Sequence, residues 1–386
     1  MKKISLPLIT LLFSFNAFSA DHMIIPKAPA IAAKGYLLVD FQSGKVLAEN
    51  NSQARLAPAS LTKMMTSYII GNEIKSGNLH PDDEVKISEK AWAKNFPDSS
   101  KMFIEVGKKV TVRELNQGII VQSGNDACVA MAEHISGSES AFADLMNAWA
   151  LQLGMNNTHF VNSHGLHSDK HYTTAEDMAI LAKALIQDVP DEYRIYSQKS
   201  FKFNGIVQYN RNGLLWDKSL NVDGIKTGHT DAAGYSLVSS ATKGDMRIIS
   251  VVMGTKSEEA RKSESKKLLN WGFRFFETIT PYKAGDELAN EKIWMGSQST
   301  IRLGVTVDTS LTLPRNQSQH LKADFVIDTE LRAPIKKGDV LGQVNYTLSG
   351  EPVQSFDLIA LETVERGGLF SRMIDYIKLL FISWFG

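Results

Sequence analysis

PASLTKMMTSYII, residues 58–70, decides how the rest of the chain is read. Leu61, Met64, Met65, Tyr68 and Ile69 recur at i, i+3, i+4, i+7 and i+8, which predicts a helix with one buried stripe. Pro58 and Ser60 supply its start and cap. Ser60 and Lys63 flank the stripe about 60° apart on one helical turn, so a hydroxyl and an amine can meet there. The positive end of the helix dipole favours a serine alkoxide. An apolar setting pushes a lysine toward its neutral, proton-accepting form, so the pair reads as a nucleophile beside its base.

S-x-x-K alone is weak, since it recurs at Ser240 to Lys243 and Ser263 to Lys266. What distinguishes Ser60 is its company downstream: Ser123-Gly124-Asn125, then Lys226-Thr227-Gly228-His229. Other copies of S-x-N start at Ser14, Ser76 and Ser219, and a K-S-G starts at Lys75. Only one ordered set has a helix start at Ser60, an inter-helix break at Ser123 and a strand-rich segment from Lys226.

The 386 residues carry 42 basic and 42 acidic side chains and are 43% hydrophobic. That describes a globular chain long enough for one large and one smaller domain. Nothing in the balance suggests nucleic acid. Residues 1–20 read as a secretory signal: Lys2 and Lys3 precede the apolar run 6–15, and small residues follow, with cleavage after Ser19 or Ala20. Its removal leaves a net charge of −2. With Cys128 alone, an exported chain forms no internal disulfide and must rely on its core. Cys128 shares a helical face with Met131, Ala132 and Ile135 and reads as packing.

Residues 34–40 and 45–50 flank Ser43-Gly44 as a hairpin. Thr111-x-x-Glu114 caps a helix running to about Gln122, Gly124 breaks it, and a new helix runs from Asp126 to Gly137. Further helices carry Phe142 to Leu153 and, from about Thr174, Met178 to Ile186. Asn204-Gly205 turns a second hairpin. Strands at 235–241 and 246–253 flank Lys243-Gly244-Asp245, and residues 264–276 return to a helical pattern. Four histidines, His159, His164, His167 and His171, raise the question of metal; no H-E-x-x-H face forms, so the segment reads as a solvated loop. From 281 to 363 the pattern is short alternating strands, a small all-β domain. The last 19 residues form an amphipathic helix in which Phe370, Ile377, Phe381 and Trp384 oppose Arg372, Asp375 and Lys378. It is too polar to span a bilayer and suits lying in its interface.

With these motifs in hand, the chain resembles the low-molecular-mass penicillin-binding proteins of the D-alanyl-D-alanine carboxypeptidase 5/6 type. The resemblance rests on PASLTK, SGNDAC, the stretch NRNGLLWDKSLNVDGIKTGHT and the closing IDYIKLLFISWFG. It implies an α+β catalytic domain with helices packed on an antiparallel sheet (31–280), an all-β domain (281–363) and a membrane-anchoring helix (364–386). It also implies that Ser60 is the acylated nucleophile, Lys63 its base and Ser123 the proton relay. Asn125 would hold the substrate amide; Lys226, Thr227 and Gly228 would line its carboxylate end. Backbone N–H groups of Ser60 and His229 would form the oxyanion hole. Arg211 and Arg261 match arginines near the cleft, and His164 a position on its rim. The implied substrate is the peptidoglycan stem pentapeptide, hydrolysed at the periplasmic face of the inner membrane without metal or other cofactor, with β-lactams as acylating inhibitors.

Rival readings are a class A β-lactamase, a transpeptidase and a wall-binding scaffold without catalysis. No E-x-x-x-N of the kind that β-lactamases use for deacylation lies between Asn125 and Lys226. The intact set of motifs argues against a scaffold. The oligomeric state is not legible.

Overall fold

The run Met246–Thr255 reads as nearly continuous apolar sequence because both of its faces are covered. In the computed structural model, which describes residues 25–328 and 330–385, it is the middle strand of a five-stranded antiparallel sheet. We label its strands β1 (Gly35–Asp40), β2 (Val46–Asn50), β3 (Asn221–Thr230), β4 (Gly234–Lys243) and β5 (Met246–Thr255), in the spatial order β2-β1-β5-β4-β3. The expected secretory leader lies outside the described residues.

Side chains on β5 alternate strictly between two cores. Ile249, Val251 and Met253 join a large core with α1 (Lys63–Lys75), α3 (Asn125–Ser136), α4 (Glu139–Gln152) and α5 (Ala175–Asp188), and α2 (Val112–Gln117) packs there too. Ile248 and Val252 face Leu268, Leu269 and Phe273 of α6 (Glu258–Phe275). Cys128 is buried in the larger core.

Five expectations need correction. First, α1 has no single stripe: every residue from Lys63 to Gly71 is buried. The helix is surrounded by α3, α4, α5 and the 118–122 turn, and its polar Thr66 and Ser67 bond to the Ser163 carbonyl and Asn116. Ser60 does not cap it; residues 59–62 form a 3₁₀ turn that leads into Lys63 without a side-chain cap. Second, the capping box at Thr111 and Glu114 is present, but the break behind it is made by Ser123, in left-handed geometry, while Gly124 is extended. Third, α6 starts six residues before the expected 264, capped by Ser257, because Glu258, Glu259 and Arg261 carry no apolar period. Fourth, His164 and His171 are buried, not solvated. Fifth, the strand that carries Lys226 begins earlier, at Asn221.

Past α6 the chain forms a ribbon, Phe276–Ile279 against Leu311–Pro314, and a six-stranded sheet. The ribbon docks on the β1–β2 turn. Thr278 donates to buried Asp40 at 2.6 Å, and Lys45 donates to the Thr312 carbonyl at 3.2 Å. A last helix, α7 (Leu369–Phe385), is tied down where Asp375 accepts the Met295 N–H at 2.8 Å. Phe370, Ile377, Phe381 and Trp384 on it are exposed. No helix among the described residues is long and apolar enough to cross a membrane.

Candidate active site

The turn that carries Ser60 is gripped from two sides. Ala59, before it, holds φ at +47°, a costly conformation for a residue with a Cβ. Gly165 (φ +94°) presses on this turn: a Cβ there would come within 1.8 Å of the Ala59 carbonyl oxygen. From the sheet side, a Cβ on Gly228 would lie 2.9 Å from the Pro58 carbonyl oxygen. Both glycines allow a close backbone approach that fixes where Ser60 sits.

Lys63 is fully buried one turn later. Its Nζ donates to Ser60 Oγ at 3.1 Å, Asn125 Oδ1 at 2.7 Å and the His164 carbonyl at 2.6 Å. Burial pushes its pKa down to about 8, with the Arg211 cation adding to the effect and Cys128 and Asp126 opposing it. Lys226 is buried as well, donates to the Thr227 carbonyl at 3.2 Å, and is pushed well below the ordinary lysine value by burial, then by Lys63, Arg211 and Arg261. Neither lysine pairs with a carboxylate among the described residues. With no such carboxylate in contact with either lysine and cations close by, a neutral amine beside Ser60 is favoured.

Ser123 Oγ is buried and has no hydrogen-bond partner among the described residues. The residue also holds φ at +67°, a costly conformation for a side chain with a Cβ. Asn125, two residues on, donates from Nδ2 to Ser99 Oγ at 2.9 Å. The loop in front is held by Asp126, a hub that sequence reasoning missed. Its carboxylate accepts the backbone N–H groups of Met102, Phe103 and Ile104. Burial still pushes its pKa up against those bonds. An acid directly after S-x-N, in the first turn of a helix, was the signal available for it.

These groups converge on a cleft of about 490 Å³ whose walls include Ser60, Ser123, Asn125, His164, Arg211, Thr227, His229 and Arg261. Lys63 and Lys226 lie just beneath its surface. Arg211 is exposed on the wall. Arg261 is buried, bonds Glu258 at 3.2 Å, reaches the Gly228 carbonyl at 3.4 Å and sits over the Tyr235 ring, on which His229 stacks. His164 Nε2 lies 3.3 Å from Glu139, but burial pushes the imidazole pKa down to about 3, so the contact is with a neutral ring rather than an ion pair. His171 is likewise held neutral by burial, bonded to Thr62. No group of three potential metal ligands occurs among the described residues. Asp98, Ser99, Glu258 and Leu166 also line the cleft and were not singled out in the sequence.

A serine hydroxyl beside a buried amine, between an antiparallel sheet and a helical layer, defines the active-site serine penicillin-binding class. Within that class, residues 22–257 match the D-alanyl-D-alanine carboxypeptidase family, peptidase S11, and residues 276–366 match the C-terminal domain of penicillin-binding protein 5. The chain belongs to this family and is a D-alanyl-D-alanine carboxypeptidase. It is 51% identical to the D-alanyl-D-alanine carboxypeptidase DacA of Escherichia coli (strain K12), covering 100% of this chain and 98% of that protein. The crystal structure of penicillin-binding protein 5 from Haemophilus influenzae superposes with a TM-score of 0.86 at 48% identity, over 88% of this chain and 100% of that one. Penicillin-binding protein D2 of Listeria monocytogenes, in its cefotaxime-bound form, gives a TM-score of 0.59 at 27% identity, over 64% of this chain and 100% of that one.

Proposed function

We propose that the chain removes the terminal D-alanine of peptidoglycan stem pentapeptides through an ester on Ser60. The observation that carries this reading is Lys63 Nζ, buried, 3.1 Å from Ser60 Oγ and with a pKa near 8. Neutral Lys63 takes the Ser60 proton as Oγ attacks the carbonyl carbon of the penultimate residue. The oxyanion forms between the backbone N–H groups of Ser60 and His229. Ser123 passes a proton to the leaving amine, the C–N bond breaks, and free D-alanine departs. Water then cleaves the ester, with Lys63 as base again. Asn125 and Thr227 position the peptide, while Lys226 and Arg211 receive its terminal carboxylate, and Arg261 beside them holds Glu258 and the Gly228 carbonyl. β-Lactams enter by the same attack and remain as acyl-enzymes.

We place this chemistry on the periplasmic face of the inner membrane. Residues 1–20 export the chain, 31–280 catalyse, 281–363 form a separate β domain, and 364–386 bind the bilayer surface. Support for the last step is the apolar face of α7, with Phe370 and Trp384 80% and 76% exposed. The test of the reaction is release of D-alanine from a pentapeptide ending in D-Ala-D-Ala. Ser60→Ala is expected to abolish both release and covalent labelling by penicillin while staying folded. Labelling retained in that variant would move the nucleophile elsewhere.

A further inference from the structure

We propose that Glu139 is a positioning residue for Lys63, acting through the turn at residues 162–165. The proposal rests on Lys63 being the base for Ser60. Glu139 is the first residue of α4, behind the capping Ser138. Its Oε1 accepts the Ser163 N–H at 3.1 Å and the Ser163 hydroxyl at 2.7 Å. At the same turn, the Ser163 carbonyl accepts from Thr66 Oγ1 at 2.5 Å and the His164 carbonyl accepts from Lys63 Nζ at 2.6 Å. A carboxylate from α4 and two side chains from α1 thus hold the same two residues.

The turn has little room to adjust by itself. Gly165 already touches Ala59 so closely that the turn cannot advance toward Ser60. The two bonds to Glu139 and the one from Thr66 fix Ser163, and with it the carbonyl of the next residue, His164. If the His164 carbonyl retreats, Lys63 keeps Asn125 and Ser60 as partners but loses the third point that fixes its flexible four-carbon stem. A displacement of about 1 Å between a base and its proton costs about 100-fold in rate. Binding of the ligand should be largely spared, because Glu139 is not itself in the walls of the cleft and reaches them only through its 3.3 Å contact with His164.

The test separates reversible binding from acylation, using stopped-flow labelling of the full-length protein with a fluorescent penicillin over a range of concentrations. Wild type labelled at Ser60 and Lys63→Ala left unlabelled establish the underlying reading; wild type unlabelled there, or Lys63→Ala labelled at the wild-type rate, overturns that reading and this proposal together. Glu139→Leu should slow the acylation step at least about tenfold at a temperature where the variant is fully folded, with the reversible dissociation constant within about twofold. Glu139→Gln, whose amide oxygen still accepts from Ser163, should recover to within about threefold of wild type. The proposal is overturned if folded Glu139→Leu acylates at the wild-type rate, if binding and acylation fall equally, or if Glu139→Gln is as slow as Glu139→Leu. Should Glu139→Leu fail to fold, Ser163→Ala decides: removal of the hydroxyl bond alone must slow acylation about threefold without changing binding, and an unchanged rate overturns the proposal.

Discussion

The rate of Ser60 acylation should follow the proton on Lys63. Burial lowers the pKa of that amine from 10.5 to about 8. At pH 7 roughly one amine in ten is then neutral, against roughly one in three thousand for an unperturbed lysine, a difference worth about 3 kcal/mol. The second-order rate constant should therefore rise about tenfold per pH unit below pH 7 and flatten above about pH 9. Arg211→Gln removes a cation that holds the Lys63 pKa down, so the midpoint of the profile should move to higher pH. Its plateau should fall too, because Arg211 is also proposed to bind the carboxylate, so the midpoint is the quantity to compare. Lys226 shares the same field, and the measured midpoint belongs to the coupled site. The assay is labelling by a fluorescent penicillin from pH 5.5 to 10, with circular dichroism checking the fold at each pH. A flat profile, or a midpoint near 10.5, would refute the argument that burial makes Lys63 a base; a downward shift in Arg211→Gln would refute the part played by the arginine.

The free carboxylate can be tested by substrate. Arg211→Gln should lose at least about tenfold in kcat/KM on a free-acid pentapeptide and much less on its C-terminal amide, the cost of one charge-assisted bond; equal losses would remove Arg211 from carboxylate recognition. Gly165→Ala combines the clash with Ala59 and a φ of +94°, so it should destabilise the fold by about 2 kcal/mol or more and abolish penicillin labelling. A urea melt unchanged from wild type would show that the turn moves freely. Truncation at Val364 should shift the protein from the membrane fraction to the soluble fraction and leave D-alanine release on a soluble pentapeptide intact. Persistent membrane association would assign the anchor to another segment, and lost activity would make α7 part of the folded body.

What the sequence made legible follows from what its patterns encode. Ser60 and Lys63 were readable as neighbours because i, i+3 spacing is a local property of a helical turn, and the 3₁₀ geometry around Ser60 preserves the contact. The hairpins at Ser43-Gly44, Lys243-Gly244-Asp245 and Asn204-Gly205 and the capping box at Thr111 were equally local. Periodicity says only which side of an element is apolar, so it missed that α1 is buried all round, with Thr66 and Ser67 satisfied by groups far along the chain. It also drew His164 and His171 into solvent, since their neighbours are polar, whereas bonds to Thr62 and the N–H of Val161 bury His171.

The polar couplings that hold the site together leave still less trace. Asp126 reaches back 24 residues to Met102, Glu139 forward 24 residues to Ser163, and Lys63 forward 101 residues to His164. None of these pairs has a hydrophobic signature, and each joins residues that only the assembled fold brings together. The cores therefore set the approximate positions of the motifs, and a handful of buried polar bonds sets the last ångström. Because the rate depends most steeply on that last ångström, substitutions at Asp126 or Glu139 should disturb acylation more than their distance from Ser60 in sequence suggests. Apolar substitutions of matched volume, such as Leu181→Met in the fully buried layer of α5, should cost less than about 1.5 kcal/mol in stability and leave the acylation rate within about twofold. If the core substitution slowed acylation as much as Glu139→Leu, packing rather than polar bonding would be setting the geometry of Lys63.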